Sequence, residues 1–589
     1  MRAVSAVLLV LAACGPAQRN GTGDDGSGGG GDGSSCAQNL CSPDLHDVVD
    51  CNGNVVQACD ASAGCANGAC VDPCEAAAAN TSSVGCDYYA VNPDSYLTAN
   101  GGCFAAYVAN TWSTPITIGV NYDGAALPID GFARIPTGQG ASITYAPLTG
   151  GVLPPNQVAI LFLANKAPIF PLPGYEACPS GVTPAFSSAD AAVHGTGLGH
   201  AFHITTSAPI VAYDIFPYGG GNSAVTSATL LLPTSAWDTS YVAVDAWEQA
   251  HRPTDGSDDG GNTSPPFLEI VAQHDDTHVT IVPSVAIVAG AGVAAAAAAT
   301  STVYTLSAGQ VLQFTQNAEL NGSPVTSDGP IGMWGGHTCM DIPYDKIACD
   351  AAHQQIPPIH AMGSRYAAIR YPNRFSGVEE SPPWRIMGGA DGTTLTYEPS
   401  QPPGAPSTLA FGQLVIFNAP GPFIVTSQDE DHPFYMSAHM TGCQAVNDGS
   451  DCRGDPEFVN VVPPDQYLAA YTFFTDPTYP ETHLVFSRER DDNGQFQDVT
   501  LDCVGTVSGW TQVDAADHVE YAYVDLVTGN FEGVGTCNNG IHTASSAHKF
   551  GLVVWGWGSA ATGLFSSTYV SYAYPAGQSI KPINHVVVQ

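Results

Sequence analysis

His274-Asp275-Asp276-Thr277-His278 packs two imidazoles and two carboxylates into five residues. On a strand, positions 274, 276 and 278 share one face, so His274, Asp276 and His278 have the spacing of a metal or acid–base cluster. The same run reads as a turn entering a strand, with Asp as the turn former, and this structural reading is the preferred one. Asp255-Gly-Ser-Asp258-Asp259-Gly260, with Asn262, offers hard oxygen ligands of the kind Ca2+ takes. Its spacing departs from the EF-hand order and no bidentate Glu follows, so a solvated loop is expected and Ca2+ is only a weak candidate. His337, His439 and His548 recur near the ends of similar strands, a repetition that suits packing better than one active site. Arg453-Gly-Asp455 spells an integrin-binding tripeptide, read as coincidence. Trp510, Trp555 and Trp557 are candidates for a contact surface, although core filling explains most such residues.

Catalytic signatures are missing. The chain has no GxSxG elbow, no HExxH pair, no GxxxxGK[ST] phosphate loop and no dinucleotide fingerprint after a strand. No catalytic residue, structural metal or cofactor is therefore assigned. A formal net charge of −39, with 15 Lys plus Arg against 54 Asp plus Glu, excludes nucleic acid and anionic lipid as partners.

The most specific chemistry lies at Cys14. It ends Leu11-Ala12-Ala13-Cys14, behind a short apolar run that follows Arg2. That run is about half of the ~20 residues a spanning helix needs, so residues 1–13 read as a secretion signal. The end of the run resembles a bacterial lipobox, in which the cysteine thiol becomes acylated and holds the protein on a membrane. Removing Cys14 from the 17 cysteines leaves an even number able to pair, as an oxidising compartment allows.

The elements that carry these residues are strands. Thr277–Ile281, Gln310–Phe314 and Thr393–Tyr397 alternate apolar and polar residues with the period of half-buried strands. Gly, Pro and Asn-Gly turns separate them, and no long amphipathic helix is evident. The alanine run 294–299 reads as a loop or short insertion. Residues 14–35 form a lipidated cysteine and a flexible Gly-rich tether. Seven cysteines between Cys36 and Cys74 mark residues 36–85 as a small disulfide-held stalk; the odd one pairs outward, with Cys86 or Cys103.

A repeat occupies the rest. Pro233/Trp237/Tyr241, Pro358/Met362/Tyr366 and Pro463/Tyr467/Tyr471 share one spacing. Each unit closes on a Ser-to-Pro turn into an aromatic strand, at Ser207–Pro209, Ser327–Pro330 and Ser427–Pro433, with a looser fourth copy from Ser546. About four tandem β-sandwich-like units are expected, over approximately 86–225, 226–352, 353–455 and 456–580. A multi-bladed propeller is the rival architecture. Cys339 with Cys349, and Cys443 with Cys452, recur at one offset and are expected to form local disulfides. Cys503 with Cys537 and Cys103 with Cys178 are the simplest remaining pairs.

Further stretches follow in order: Leu230-Leu-Leu-Pro-Thr234, Asp276–Ile281, Leu320-Asn-Gly-Ser323, Gly335-Gly-His337, Gln354-Gln-Ile-Pro-Pro358, Trp384-Arg-Ile386, Gly454-Asp-Pro456 and Ser571–Gly577. This ordered set resembles the N-terminal domain family of the IgGFc-binding protein, over roughly residues 86–580. The resemblance implies an extracellular binding or adhesion module on a cell surface, not an enzyme. No motif carries immunoglobulin binding onto these residues. The expected protein is an outer-membrane lipoprotein that binds an extracellular protein or glycan. A surface-anchored hydrolase of polysaccharide or peptide, and a structural envelope component without a ligand, are the competing expectations.

Overall fold

The computed structural model describes residues 39–588, apart from 170, 172–174, 221–224, 251–262, 345, 347–348, 448–450 and 514–517. Cys14, the tether and the acidic loop with Asp255, Asp258 and Asp259 lie outside the described residues. The chain is mostly β, in sheets of three, ten, eight, four, four and nine strands plus a two-stranded hairpin. Among the described residues there is one α-helix, Pro73–Asn80, started by Pro73 and capped by Asp72, whose side chain accepts from the backbone N–H groups of Cys74 and Glu75. No helix among them is long and apolar enough to cross a membrane.

Each large unit is organised by one long strand. Phe202–Phe216 pairs through residues 202–206 with Ile116–Tyr122, and through residues 210–215 with Phe104–Asn110. Pro324–Met340 and Gly540–Trp557 behave alike, changing partners part-way along. The long strand thus crosses from one layer to the other. The Ser-to-Pro segment read as a turn is the bend at that crossing, because proline cannot continue a ladder through its nitrogen. Only in the third unit does the chain break, into Phe423–Ser427 and Phe434–Met440, on two separate four-stranded sheets. Those sheets enclose Tyr366, Trp384, Leu395, Phe423 and Phe434 as a sandwich core.

The repeated tyrosines fasten this bend. Tyr241 Oη donates to the Ile331 carbonyl at 2.7 Å and accepts from the Asp238 N–H. Tyr366 Oη donates to the Phe434 carbonyl at 2.6 Å and accepts from the Gly363 N–H. Tyr471 repeats the pair with Phe550 and Leu468. The first unit carries the same device in Tyr88, which donates to the Ile210 carbonyl at 2.7 Å. Every acceptor is the residue that opens the second half of a closing strand.

Sheets also interlock. Gly197–His200 leaves the first unit to pair with Gln310–Thr315 of the second. After each closing strand the chain loops back and adds one more antiparallel strand: Ser227–Leu230, Asp350–Ile356, Glu457–Asn460 and Ser571–Pro575. These four strands touch one another in sequence, the first also touching the last, so the units close into a ring around them. The ring is sewn shut where the Ser83 N–H donates to the Gln578 carbonyl at 2.8 Å and the Ile580 N–H to the Thr81 carbonyl at 2.9 Å.

Every described cysteine is disulfide-bonded. Cys41 joins Cys65, Cys59 joins Cys70, and Cys74 joins Cys86, tying the small module to the first unit. Cys103 is bonded to Cys178, Cys339 to Cys349, Cys443 to Cys452 and Cys503 to Cys537. Fifteen disulfide-bonded cysteines do not persist in a reducing cytosol.

Candidate functional site

The four central strands stand with their polar side chains toward a common axis. Gln354 donates from one amide nitrogen to the Ala228 carbonyl at 2.8 Å and the Ala573 carbonyl at 3.0 Å, bridging three units. The Asn460 amide donates to the Gln355 carbonyl at 2.9 Å. At one end, Thr226, Asp350, Asp455 and Ser571 form a layer with one residue from each unit. The Thr226 N–H donates to Asp350 Oδ1 at 3.3 Å, Thr226 Oγ1 donates to the Ser571 carbonyl at 2.7 Å, and the Asp455 N–H donates to Ser571 Oγ at 2.7 Å.

This axis is unusually acidic for a buried place. Asp350, Asp455 and Glu457 are each 0% exposed. Burial pushes all three carboxyls well above the ordinary range, and for Asp350 the neighbouring Asp455 and Glu457 push further. Asp350 Oδ2, Asp455 Oδ2 and Glu457 Oε2 have no hydrogen-bond partner. Gly454 precedes Asp455 with φ +70°, where a Cβ would meet Trp557 at 2.9 Å and Ser571 Oγ at 3.0 Å. Gly-Asp-Pro is therefore an axial corner, and the apparent Arg-Gly-Asp tripeptide presents no carboxylate to solvent.

One layer in, Ser227 Oγ lies 3.0 Å from His353 Nδ1, and His353 Nε2 lies 2.6 Å from Asp214 Oδ1. The order Ser–His–Asp mimics a hydrolase triad. All three residues are fully buried, so no substrate carbonyl reaches Ser227. The group holds two units together.

The residues with apparent chemical spacing in the sequence serve local structure instead. Asp276 sits at φ +56° in a tight turn. Thr277 Oγ1 donates to the His274 carbonyl at 2.8 Å, and His278 Nδ1 pairs with Asp328 at 2.8 Å. His274, Asp276 and His278 therefore do not converge. The third unit repeats the turn: Asp275 and Asp391 each accept the N–H that starts a Gly-Gln strand, from Ala308 at 3.0 Å and Phe411 at 2.9 Å. His337 and His439 are buried and held well below the usual imidazole range, at about 3, chiefly by burial. Their Nε2 atoms reach the carbonyls of Glu248 and Ala246. His548 does not share that environment and is half-buried. Trp555 and Trp557 are core residues, 1% exposed, which removes them as contact-surface candidates. Trp510 is half-buried beneath the Arg488 guanidinium, 3.9 Å from its ring.

Among the described residues, the single trio of ligand-type side chains with donor atoms all within 4.8 Å of one another is Asp502, Cys503 and His542. Cys503 is bonded to Cys537, so it offers no thiolate, and His542 already pairs with Asp502 at 3.0 Å.

An open cleft of about 510 Å3 lies between the first and fourth units, lined by Ile143, Tyr145, Glu176, Tyr218, Phe531 and Leu564 among others. The Tyr145 and Tyr218 hydroxyls are 2.9 Å apart. Burial raises the Glu176 carboxyl to about 7. Aromatic walls around a few polar groups are the composition of a ligand cleft. Sequence reasoning missed it because its walls come from residues more than 380 apart in the chain.

The family model described as "IgGFc binding protein" matches residues 227–556, from the first central strand to the end of the last closing strand. A curated relative from Homo sapiens, named IgGFc-binding protein, is 25% identical over 261 residues, covering 43% of this chain and 4% of the relative. This chain therefore spans only a small part of that relative's length. No solved structure matches.

Proposed function

This chain belongs to the IgGFc-binding protein family, and on that premise we propose that it is a lipid-anchored binding protein of the cell surface. Cys14 carries the lipid, residues 15–35 give reach, residues 36–85 form a disulfide stalk, and residues 86–580 form the binding head. The observation that carries the reading is the family match over 227–556, which runs from the last strand of the first unit through the other three units of a disulfide-bonded ring. Its ligand is an extracellular protein or glycan, taken in the aromatic cleft between the first and fourth units, with Tyr145, Tyr218, Phe531 and Leu564 as apolar contacts. Several copies on one membrane would bind with avidity, since the first contact raises the effective concentration of the next.

Two measurements test this. Metabolic labelling with a palmitate analogue is expected to mark the chain and to fail in Cys14→Ser. Cells displaying the chain, overlaid on arrays of extracellular proteins (human Fc among them) and glycans, are expected to bind a defined subset. Tyr145→Ala/Phe531→Ala should lower that binding at least tenfold. Binding that survives the double substitution unchanged overturns the cleft, and no binding on either array overturns the function.

A further inference from the structure

We propose that a second cleft, where the small disulfide module meets the first and fourth units, binds an acidic carbohydrate, with Lys549 and Lys581 holding its carboxylate or sulfate groups. This cleft is separate from the aromatic one and has a volume of about 480 Å3. The argument begins with charge. The chain has only four lysines, and two of them line this one cleft. Arg365, Arg374, Arg385 and Arg488 are each paired with a carboxylate. Among the described residues neither Lys549 nor Lys581 has such a partner, and Lys549 Nζ donates to the Asp465 carbonyl at 3.4 Å. Asp44 also lines the cleft, but its Oδ1 accepts from the Ser42 hydroxyl at 2.6 Å and the His46 N–H at 3.2 Å, closing a local turn. Burial, and then the charge of Lys549, hold the Lys581 ammonium below the ordinary lysine range. Two cations that repel each other across one open space leave a place for an anion.

The second observation is a row of hydroxyls beside them. Leu468–Thr475 pairs with Gly540–Trp557, and Ala470, Thr472, Thr543 and Ser545 lie on one face of that pair. All four line the cleft, and Thr543 and Ser545 are exposed. The hydroxyls of Thr472, Thr543 and Ser545 make no hydrogen bond among the described residues. Each can both donate and accept, as the hydroxyls of a sugar do. An acidic peptide or a phosphate is best held by the bidentate fork of arginine, and no arginine lines the cleft. Both lysines rise from fixed backbone. Lys549 stands on the long closing strand, one residue before Phe550, whose carbonyl accepts from Tyr471. The carbonyl of Lys581 accepts from the Gln466 amide at 2.7 Å. Binding therefore orders side chains alone, which keeps its entropic cost small.

The full chain, purified in detergent, tests this when titrated with trigalacturonate, which carries carboxylates, and with a heparin tetrasaccharide, which carries sulfates. The titrations run in 0.15 M NaCl, where a Debye length of about 8 Å limits repulsion from the rest of the acidic surface. The expected result is saturable one-to-one binding of at least one of them, and none of neutral maltotetraose. Lys549→Gln/Lys581→Gln should weaken the binding at least tenfold, and Thr543→Ala/Ser545→Ala at least threefold, each with Tm unchanged. Tyr145→Ala/Phe531→Ala should leave it intact, so that failure of the aromatic cleft and failure of this site are told apart. The comparison with maltotetraose needs only wild-type protein and stands even where a variant misfolds. No binding of either acidic sugar, equal binding of maltotetraose, or binding that survives loss of both lysines overturns the proposal. Tetraglutamate bound more tightly than both sugars overturns the carbohydrate and assigns the cleft to an acidic peptide.

Discussion

His353 Nε2 approaches Asp214 Oδ1 to 2.6 Å across the boundary between the first and second units, 139 residues apart in the chain and closed to solvent on both sides. Burial raises the Asp214 carboxyl, and His353 opposes that rise. Removing one partner strands the other in the interior, so His353→Ala or Asp214→Ala should cost about 3–5 kcal/mol in urea unfolding. A fluorophosphonate probe should leave Ser227 unlabelled in the native chain. Labelling would show that the interior opens.

A clasp inside the first unit responds to pH. His194 lies 3.1 Å from Asp190 and 3.0 Å from Asp94, and hydrogen bonds to Asp190 and then Asp94 raise its imidazole to about 10. A raised value means that the stabilisation is complete below about 6.5, the ordinary imidazole value, and is lost as pH rises to about 10. His194 is over a third exposed, so screening holds the effect to about 1 kcal/mol or less. Tm of the wild type should fall between pH 7 and 10 more steeply than that of His194→Gln. Parallel curves refute the clasp.

Arg374 and Glu380 give the opposite sign. Burial works to raise the Glu380 carboxyl, yet Arg374 holds it below the usual carboxylate range. The stabilisation is therefore present above about pH 4.5 and lost as pH falls through the depressed value. Glu380→Gln leaves a buried guanidinium without its counter-charge and should cost about 3–5 kcal/mol at pH 7. Its stability should also depend less on acid between pH 5 and 3, read by circular dichroism.

The four repeated tyrosines predict matching penalties. Each hydroxyl of Tyr88, Tyr241, Tyr366 and Tyr471 fastens a closing strand by its carbonyl. Tyr→Phe at any one of them should cost about 1–3 kcal/mol by stranding buried backbone groups. A penalty confined to one position would deny the common role.

Breaking Cys74–Cys86, which closes a sequence separation of 12, should cost about 3 kcal/mol as Cys74→Ser/Cys86→Ser. The small module should become protease-sensitive first, seen as early cleavage before residue 82.

Strand positions were legible where one face is wet. Thr277–Ile281 alternates buried and exposed residues along its length, so period two is visible. Gln310–Thr315 was read from its alternation although it is covered on both sides through its middle, whereas its neighbour Gly197–His200, a strand from another unit, had no signature. Tyr241, Tyr366 and Tyr471 announced a repeat because one bend needs one hydroxyl at one spacing. Tyr88 escaped notice because its unit does not begin with the same proline pattern. The paired carboxyl and imidazole runs misled because turn chemistry and metal chemistry draw on the same residues, and only Asp328, fifty positions away from His278, decides between them.

By itself the sequence determined the class of structure and its conditions: β-strands from alternation, repeated units from spacing, and an oxidising compartment from even sulfur counting. Those properties are local or additive, and each residue reports them wherever it lies. Only the tertiary structure decided that Asp350, Asp455 and Glu457 share one buried axis, that Ser227, His353 and Asp214 form a sealed clasp, and that Tyr145 faces Phe531 across a cleft. Burial and proximity depend on which strands the ring brings together, and residues one hundred or more positions apart carry no record of their distance.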